Sequence, residues 1–434
     1  MMAIGKKDEP TVVIAGGGPC GMLTAILLSD EDLGVGINTI VLERALEPDE
    51  WSTKSYTIIL GDNGKSCLER GKCLAAATEI GAERKFVYFF DGTAGTLKKI
   101  PKKSPAIGLT RPTLVRCLED IASNHPRITV RRGAGVSKVV RDDLDDDHDG
   151  DGGVNVHLED GTVISASHAV GADGKWSKVR QSSSELESQA SIKVEPSFGV
   201  LVMISSFPDG WASDGTYIVK PDDKYKFYII AAPMPPHIGG LSMSIVCYDE
   251  TVELYPWLAP PDDMKAESYG KGGWEDEYSA MPDNEGDASN LSEQLAALLQ
   301  EAVPAFYNAI IADDLKTAHI NRRVSWLDMA KVKDAGDDEV VTYTTSDGLV
   351  TLLGDAAHAV VPSMGEGCNT ALQSAVKLAD AILLEMKDNE MDSCTREAIS
   401  NAFLKYGASR HKEVAAIQLM SAARSRLKKV YKMS

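Results

Sequence analysis

Residues 11–21 read TVVIAGGGPCG, and this stretch decides the fold. Thr11 to Ala15 is a short apolar, β-branched run that predicts a buried strand, and the MLTAILLS after Gly21 predicts a helix. Thr39 to Leu42 (TIVL) predicts the next buried strand and closes a βαβ unit. The turn Gly16-Gly17-Gly18-Pro19-Cys20-Gly21 fits G-x-G-x-x-G. Gly16 permits the tight turn, Gly18 lets a pyrophosphate approach the backbone, and Gly21 lets the helix pack on the strand. The helix N-terminus then offers free N–H groups to the phosphates. Glu43, at the end of the second strand, is the carboxylate expected to accept from an adenosine ribose, with Arg44 adding a phosphate or adenine contact. Cys20 reads as a small residue against the phosphate turn rather than a reactive thiol.

Composition sets the bounds around that unit. At 434 residues the chain can bury two intimately packed domains. Its 43% apolar and 25% charged content is that of a soluble globular protein. A net charge of -19 argues against nucleic-acid binding, because phosphates would be repelled. Seven cysteines without a CxxC pair read as reduced, buried thiols, which points to the cytoplasm or another reducing compartment. MMAIGKKDEP carries no apolar core, so no secretory signal is expected, and no stretch approaches the about 18 apolar residues of a membrane span.

Along the chain, a polar, glycine-punctuated stretch runs to about Gly108, and Arg111 to Ser123 has helical spacing, with Leu114, Leu118 and Ile121 on one face. GVSKVV and VNVHLED predict a hairpin, joined by DDLDDDHDGDGG. Asp145, Asp147, Asp149 and Gly150 there have calcium-loop spacing, but Val156 stands where a bidentate Glu is needed, so a solvated acidic loop is the better reading. Phe198 to Tyr248 predicts an inserted antiparallel sheet, and residues 256–290 a long surface excursion.

A second constellation selects the ligand. LVTLL-Gly354-Asp355-Ala356-Ala357-His358 continues through Pro362 to Gly365-Glu366-Gly367-Cys368-Asn369 and a long apolar helix. Asp355 is poised to accept from a ribityl hydroxyl, and the helix that follows can stabilise an anionic reduced flavin. Gly171-Ala172-Asp173-Gly174, followed by Ser177 and Arg180, makes a third motif. In this order and spacing the chain resembles the group A flavoprotein monooxygenases, the p-hydroxybenzoate hydroxylase-like superfamily.

That resemblance implies an α/β (α+β) fold, with a Rossmann-like FAD-binding domain (8–75, 105–190 and 340–390), an inserted antiparallel β-sheet substrate domain (76–104 and 191–339) and C-terminal helices (391–434). It implies FAD contacts from Arg111, Val136, Ala172, Asp173 and Gly174, in addition to the two glycine-rich turns. NADPH or NADH is the implied co-substrate, and with O₂ it leads through a flavin C4a-hydroperoxide to hydroxylation or epoxidation of an electron-rich small molecule. The flavin carries that chemistry, so no catalytic side chain is nominated, and His358 reads as a structural histidine. Two other readings stay open: a reductase or oxidase on the same scaffold, and a non-catalytic FAD-containing subunit that binds a pigment or protein partner.

SYTIILGDNGKSCL, GLTRPTLVRCL, KFYIIAAP and LLGDAAHAVVP are most similar to the kynurenine 3-monooxygenase branch. An Arg of that branch helps bind the substrate carboxylate, and Arg84 falls at its place. Two aromatic hydroxyls of the branch are replaced, near Pro105 and Ala423, and Glu366 stands where the branch has Gln. These changes disfavour an anionic amino acid in the same pose, so kynurenine is not the expected substrate. Arg84 and Glu366 are the substrate-side candidates. The tail from Arg410 is basic (Lys412, Arg424, Arg426, Lys428, Lys429, Lys432); it reads as a solvated helix face, or as a surface for peripheral contact with an anionic membrane.

Overall fold

The computed structural model describes residues 9–33, 35–47, 57–142, 152–195, 198–247, 249–258, 285–321, 324–328, 342–361, 365–391 and 393–430. The apolar β-branched runs form a parallel sheet, the arrangement in which both faces of each strand are covered. β1 (Thr11–Ala15), β2 (Asn38–Glu43), β6 (Ile128–Arg132), β10 (His168–Gly171) and β18 (Val350–Leu352) lie in the order β18-β10-β1-β2-β6. α1 (Pro19–Ser29) is buried from Cys20 to Ser29, as expected of a helix apolar on all sides. It packs with α2 (Asp62–Arg70), α3 (Leu74–Ile80), α4 (Arg111–Ser123) and two later helices in one core. Leu114 and Leu118 of α4 point into that core, as their spacing predicts.

The sheet's other face is covered by the expected hairpin, extended to three strands: β7 (Val136–Arg141), β8 (Val154–Leu158) and β9 (Val163–Ala166). Val156 is buried there, while the acidic loop with Asp145, Asp147, Asp149 and Gly150 lies outside the described residues, as does most of the 256–290 excursion. Two short helices, α5 (Lys178–Gln181) and α6 (Ser184–Ser188), follow β10.

A second, eight-stranded sheet runs β16-β12-β15-β14-β13-β4-β5-β3. Its strands are β3 (Thr57–Leu60), β4 (Ala82–Asp91), β5 (Leu97–Thr110), β12 (Phe198–Ile204), β13 (Gly215–Lys220), β14 (Phe227–Pro233), β15 (Leu241–Cys247) and β16 (His319–Asn321). β11 (Ser191–Glu195) and β17 (Val324–Asp328) form a separate ribbon. The large sheet is antiparallel as expected, except that β4 and β13 run parallel. One face, with Tyr88, Tyr217, Ile229 and Met243, is buried against α8 (Glu285–Ala302) and α9 (Pro304–Tyr307). α7 (Asp249–Leu254) follows β15. The polar, glycine-punctuated stretch up to Gly108 contains two of the longest strands. β5 escaped the reading because it carries Pro101 and Pro105 and is paired by β3 only at Ile107–Thr110; an unpaired edge tolerates proline.

The last segment turns from β18 into α10 (Asp355–His358), α11 (Gly367–Asp388) and α12 (Arg396–Val430). Among the described residues no helix is long and apolar enough to cross a membrane.

Candidate functional site

β1 runs directly into the first glycine turn. Gly16 has φ +102°, and a Cβ there would lie 2.4 Å from the Ala172 carbonyl oxygen, so glycine is required by conformation and by space. A Cβ on Gly21 would lie 2.0 Å from the Gly16 oxygen, which is why the helix can pack so close to the strand. Gly18 caps α1 with no side-chain hydrogen bond, and Pro19 follows in the first turn, so the remaining first-turn N–H groups face outward unsatisfied. The nearest atom to a Cβ on Gly18 would be Arg111 Nη2, 3.6 Å away. A helix N-terminus and a guanidinium therefore flank one open space, an arrangement suited to a pyrophosphate. Cys20 Sγ donates to the Ala371 carbonyl at 3.1 Å, and burial pushes its thiol far up, so it is a packing residue.

Glu43 is the carboxylate expected at an adenosine ribose. Its Oε2 accepts from Gly17 N at 2.7 Å and its Oε1 from Ala45 N at 2.9 Å, leaving further lone pairs for ribose hydroxyls. Ala134 N donates to the Glu43 carbonyl at 2.8 Å, which brings buried Val136 and the start of β7 alongside. Arg44 is ion-paired with Glu159, both half-exposed, so a phosphate contact would have to replace that surface pair.

The third motif abuts the first. Asp173 Oδ2 accepts from Lys178 N at 2.7 Å and Val179 N at 3.2 Å, capping α5, while its Oδ1 is buried without a partner. Burial raises its carboxyl, against the pull of these hydrogen bonds. Nothing stands within 4 Å of a Cβ on Gly174. Ser177 Oγ accepts from Arg180 N at 2.9 Å, and Arg180 is buried.

At the late Gly-Asp turn, a Cβ on Gly354 would lie 3.3 Å from Cys20 Sγ, which ties that turn to the start of α1. Asp355 opens α10 with its side chain exposed, yet protein surrounds it closely enough that desolvation raises its carboxyl against the nearby Arg111 and Lys175 cations. Gly365 leaves open space, and Glu366 and Gly367 begin α11 with no side-chain cap. Half-buried Glu366 is raised by desolvation, and burial pushes the Cys368 thiol up to about 12. The buried amide of Asn369 is committed to backbone: Oδ1 accepts from Gly61 N at 3.2 Å, and Nδ2 donates to Ile59 O at 3.1 Å. Its side chain thus fixes β3 to the start of α11, leaving its backbone N–H as the group that can face a ligand. Pro362 lies outside the described residues.

Two expectations change. Arg84 does not reach a ligand: it is fully buried, its Nη1 donates to Thr216 Oγ1 at 3.0 Å and its Nη2 to Pro233 O at 2.8 Å. The absence of a side chain on Gly108 lets the guanidinium lie flat across β5, which seals it. Arg410 is not part of an exposed basic face; it is buried, donating to Ser374 Oγ at 3.1 Å and Thr370 O at 3.0 Å and pairing with Glu413. The side chains from Arg424 to Lys432, and that of Ala423, lie outside the described set. Lys175, next to the Asp173-Gly174 turn, is a further cation whose charge acts on Asp355, and its place in the motif is the sequence signal for it. His358 is buried, bonded to Ser374 Oγ at 2.8 Å and held down to about 3 by burial, which makes it the structural histidine expected.

The residues present fit FAD. Two helix starts without side-chain caps, α1 and α11, an exposed carboxylate at Asp355, the unpartnered Asp173 oxygen and the free lone pairs of Glu43 are the donors and acceptors such a dinucleotide requires.

The chain matches the FAD binding domain family over residues 9–276 and 299–400. It is similar to kynurenine 3-monooxygenase of Xanthomonas euvesicatoria pv. vesicatoria, 39% identical over 75 residues, a match covering 17% of this chain and only 14% of that protein's length. Among solved structures it is similar to the tetrameric form of 2-methyl-3-hydroxypyridine-5-carboxylic acid oxygenase, at 18% identity and TM-score 0.66, covering 99% of this chain and 94% of that one. It is also similar to Klebsiella pneumoniae HpxO complexed with FAD and uric acid, at 17% identity and TM-score 0.62, covering 96% and 87% of the two chains. These likenesses establish the p-hydroxybenzoate hydroxylase-like fold expected from the sequence.

Proposed function

The chain belongs to the FAD binding domain family, and from that premise we propose that it is an NAD(P)H-consuming, FAD-dependent monooxygenase that hydroxylates or epoxidises an aromatic or other electron-rich small molecule. The observation that carries the reading is the meeting of three motifs: Gly16 against Ala172, Gly18 beside Arg111, and Gly354 against Cys20. When bound, FAD supplies the hydride acceptance from the nicotinamide and the activation of O₂. The chain's own part is binding, orientation and exclusion of water. The α1 N-terminus and Arg111 hold the pyrophosphate. Asp355 accepts from the ribityl chain, and the α11 N-terminus, with no cap of its own, places its positive end where negative charge develops on the ring. The large sheet lends its outer face, with half-buried Val87, Phe89, Ile218 and Ile230, as an apolar wall for a small-molecule substrate. The small aromatic compounds in the names of the similar structures support that substrate class. All seven cysteines are free thiols, which supports a reducing compartment.

The test is NAD(P)H oxidation by the flavin-loaded protein over a panel of aromatic, indolic and isoprenoid compounds under ¹⁸O₂. A compound that stimulates oxidation and leaves with one ¹⁸O atom supports the reading. Reduction of a compound without O₂ replaces it with a reductase, and a bound flavin that neither NADPH nor NADH reduces replaces it with a non-catalytic subunit.

A further inference from the structure

Behind the late Gly-Asp turn, one buried hydroxyl gathers hydrogen bonds from three helices. Ser374 of α11 is fully buried, and its Oγ donates to the Thr370 carbonyl at 3.1 Å, accepts from Arg410 Nε at 3.1 Å and lies 2.8 Å from His358 Nε2. A hydroxyl carries a single hydrogen, and the Thr370 carbonyl takes it. His358 Nε2 is therefore the donor in the last contact, from a neutral ring that burial holds down to about 3. Arg410 of α12 is buried too, and its other nitrogens donate to the Thr370 carbonyl at 3.0 Å and to Glu413 Oε2 at 2.6 Å. Further along α12, buried Gln418 donates to the Ala359 carbonyl at 3.4 Å and to that of Leu327.

These partners belong to separate elements. His358 closes α10, the helix that Asp355 opens, and Thr370 stands in the first turn of α11. α10 ends at His358 and α11 begins at Gly367, so no continuous helix sets the distance between Asp355 and the α11 N-terminus. The hydrogen bonds behind them do. Apolar contacts would hold the helices together at less cost than a buried guanidinium, but they have no direction. A planar fork of donors fixes distance and angle together.

We propose that Ser374 and Arg410 are positioning residues for the flavin: with His358 they set the spacing of Asp355 and the α11 N-terminus, and so govern how the isoalloxazine half of FAD is held. The adenosine half is outside their reach, because the first glycine turn takes its geometry from Ala172 and Glu43. Both residues act through their neighbours. The inference rests on the proposed function for the identity of the ligand.

The test is calorimetric titration of the FAD-free full chain with FAD and, separately, with ADP, which carries only the adenosine and pyrophosphate part. The proteins are the wild type, Ser374→Ala, Arg410→Lys and Ile382→Val, the last a packing change at a buried position further along α11. Ser374→Ala and Arg410→Lys are expected to bind FAD about tenfold more weakly than the wild type and ADP within about twofold of it. The visible band of their bound flavin is expected to move toward that of free FAD, and Ile382→Val to match the wild type throughout. Should Ser374→Ala not fold, Arg410→Lys, which keeps the charge but not the fork, decides the matter. Equal losses for FAD and ADP, an unchanged flavin band, or the same pattern in Ile382→Val overturns the positioning role. That failure, in a wild type that holds FAD, leaves the monooxygenase reading standing, whereas a wild type that takes up no FAD fails the earlier reading.

Discussion

Arg180 bridges to Ala356 across the site: its Nη1 donates to the Ala356 carbonyl at 2.8 Å, and its Nη2 donates to the Lys175 carbonyl at 2.8 Å. One buried guanidinium thus fixes the spacing between the Asp173-Gly174 turn and the helix opened by Asp355. Arg180→Met leaves the buried Ala356 carbonyl and the part-buried Lys175 carbonyl without this donor, and is expected to lower stability by about 3 kcal/mol. Thermal melting of the FAD-free protein reads the loss, and an unchanged melting temperature contradicts the bridging role.

The two glycines of the phosphate turn separate folding from binding. Gly16→Ala forces an L-residue to φ +102° against the Ala172 carbonyl, so both stability and FAD affinity are expected to fall. Gly18 has φ -71° and ψ 177°, which alanine adopts freely. Gly18→Ala is expected to melt like the wild type while weakening FAD binding about tenfold or more, because its methyl occupies ligand space. Equal FAD affinity in Gly18→Ala is the contrary result.

Asp355 is one contributor to the pH dependence of the FAD-free protein. Its carboxyl is raised on folding, so the charged form costs stability above the ordinary carboxylate range, and the cost disappears as pH falls through the raised value to the unfolded one. FAD-free Asp355→Asn is therefore expected to be more stable than the wild type at pH 7.5, with the gap closing below about pH 4. The same variant is expected to bind FAD more weakly. Melting curves at both pH values check the sign, and a variant less stable at pH 7.5 contradicts it.

Much of this site was legible in the sequence, because glycine turns are short-range signals: Gly16 to Gly21, Glu43, Asp173-Gly174 and Gly354-Asp355 needed only their flanking strands and helices to be placed. Arg84 was misjudged because its fate depends on Gly108 and Thr216, residues brought to it by non-local pairing that no local pattern encodes. β5 is not legible because prolines and lysines on the stretch of a strand that lacks a second neighbour look like loop. Arg410 appeared as one of a run of basic residues, and only the packing of α12 on α11 shows it turned inward to Thr370 and Ser374.

Glu366 gives a separate handle on ligand charge. Desolvation raises its carboxyl, so a falling pH neutralises it earlier than an exposed glutamate. Wild-type affinity for benzenesulfonate, which stays anionic throughout, is expected to rise as pH drops toward 5, and Glu366→Gln to show the higher affinity, about fivefold, already at pH 7.5. Parallel pH profiles for the two proteins contradict a role at the ligand.

The most direct measurement is the visible spectrum of the purified full chain, after addition of FAD and removal of the excess. One flavin per chain, with its absorption band perturbed from that of free FAD and lost in Gly18→Ala, is the predicted result. A colourless protein that takes up no FAD contradicts the account at its root.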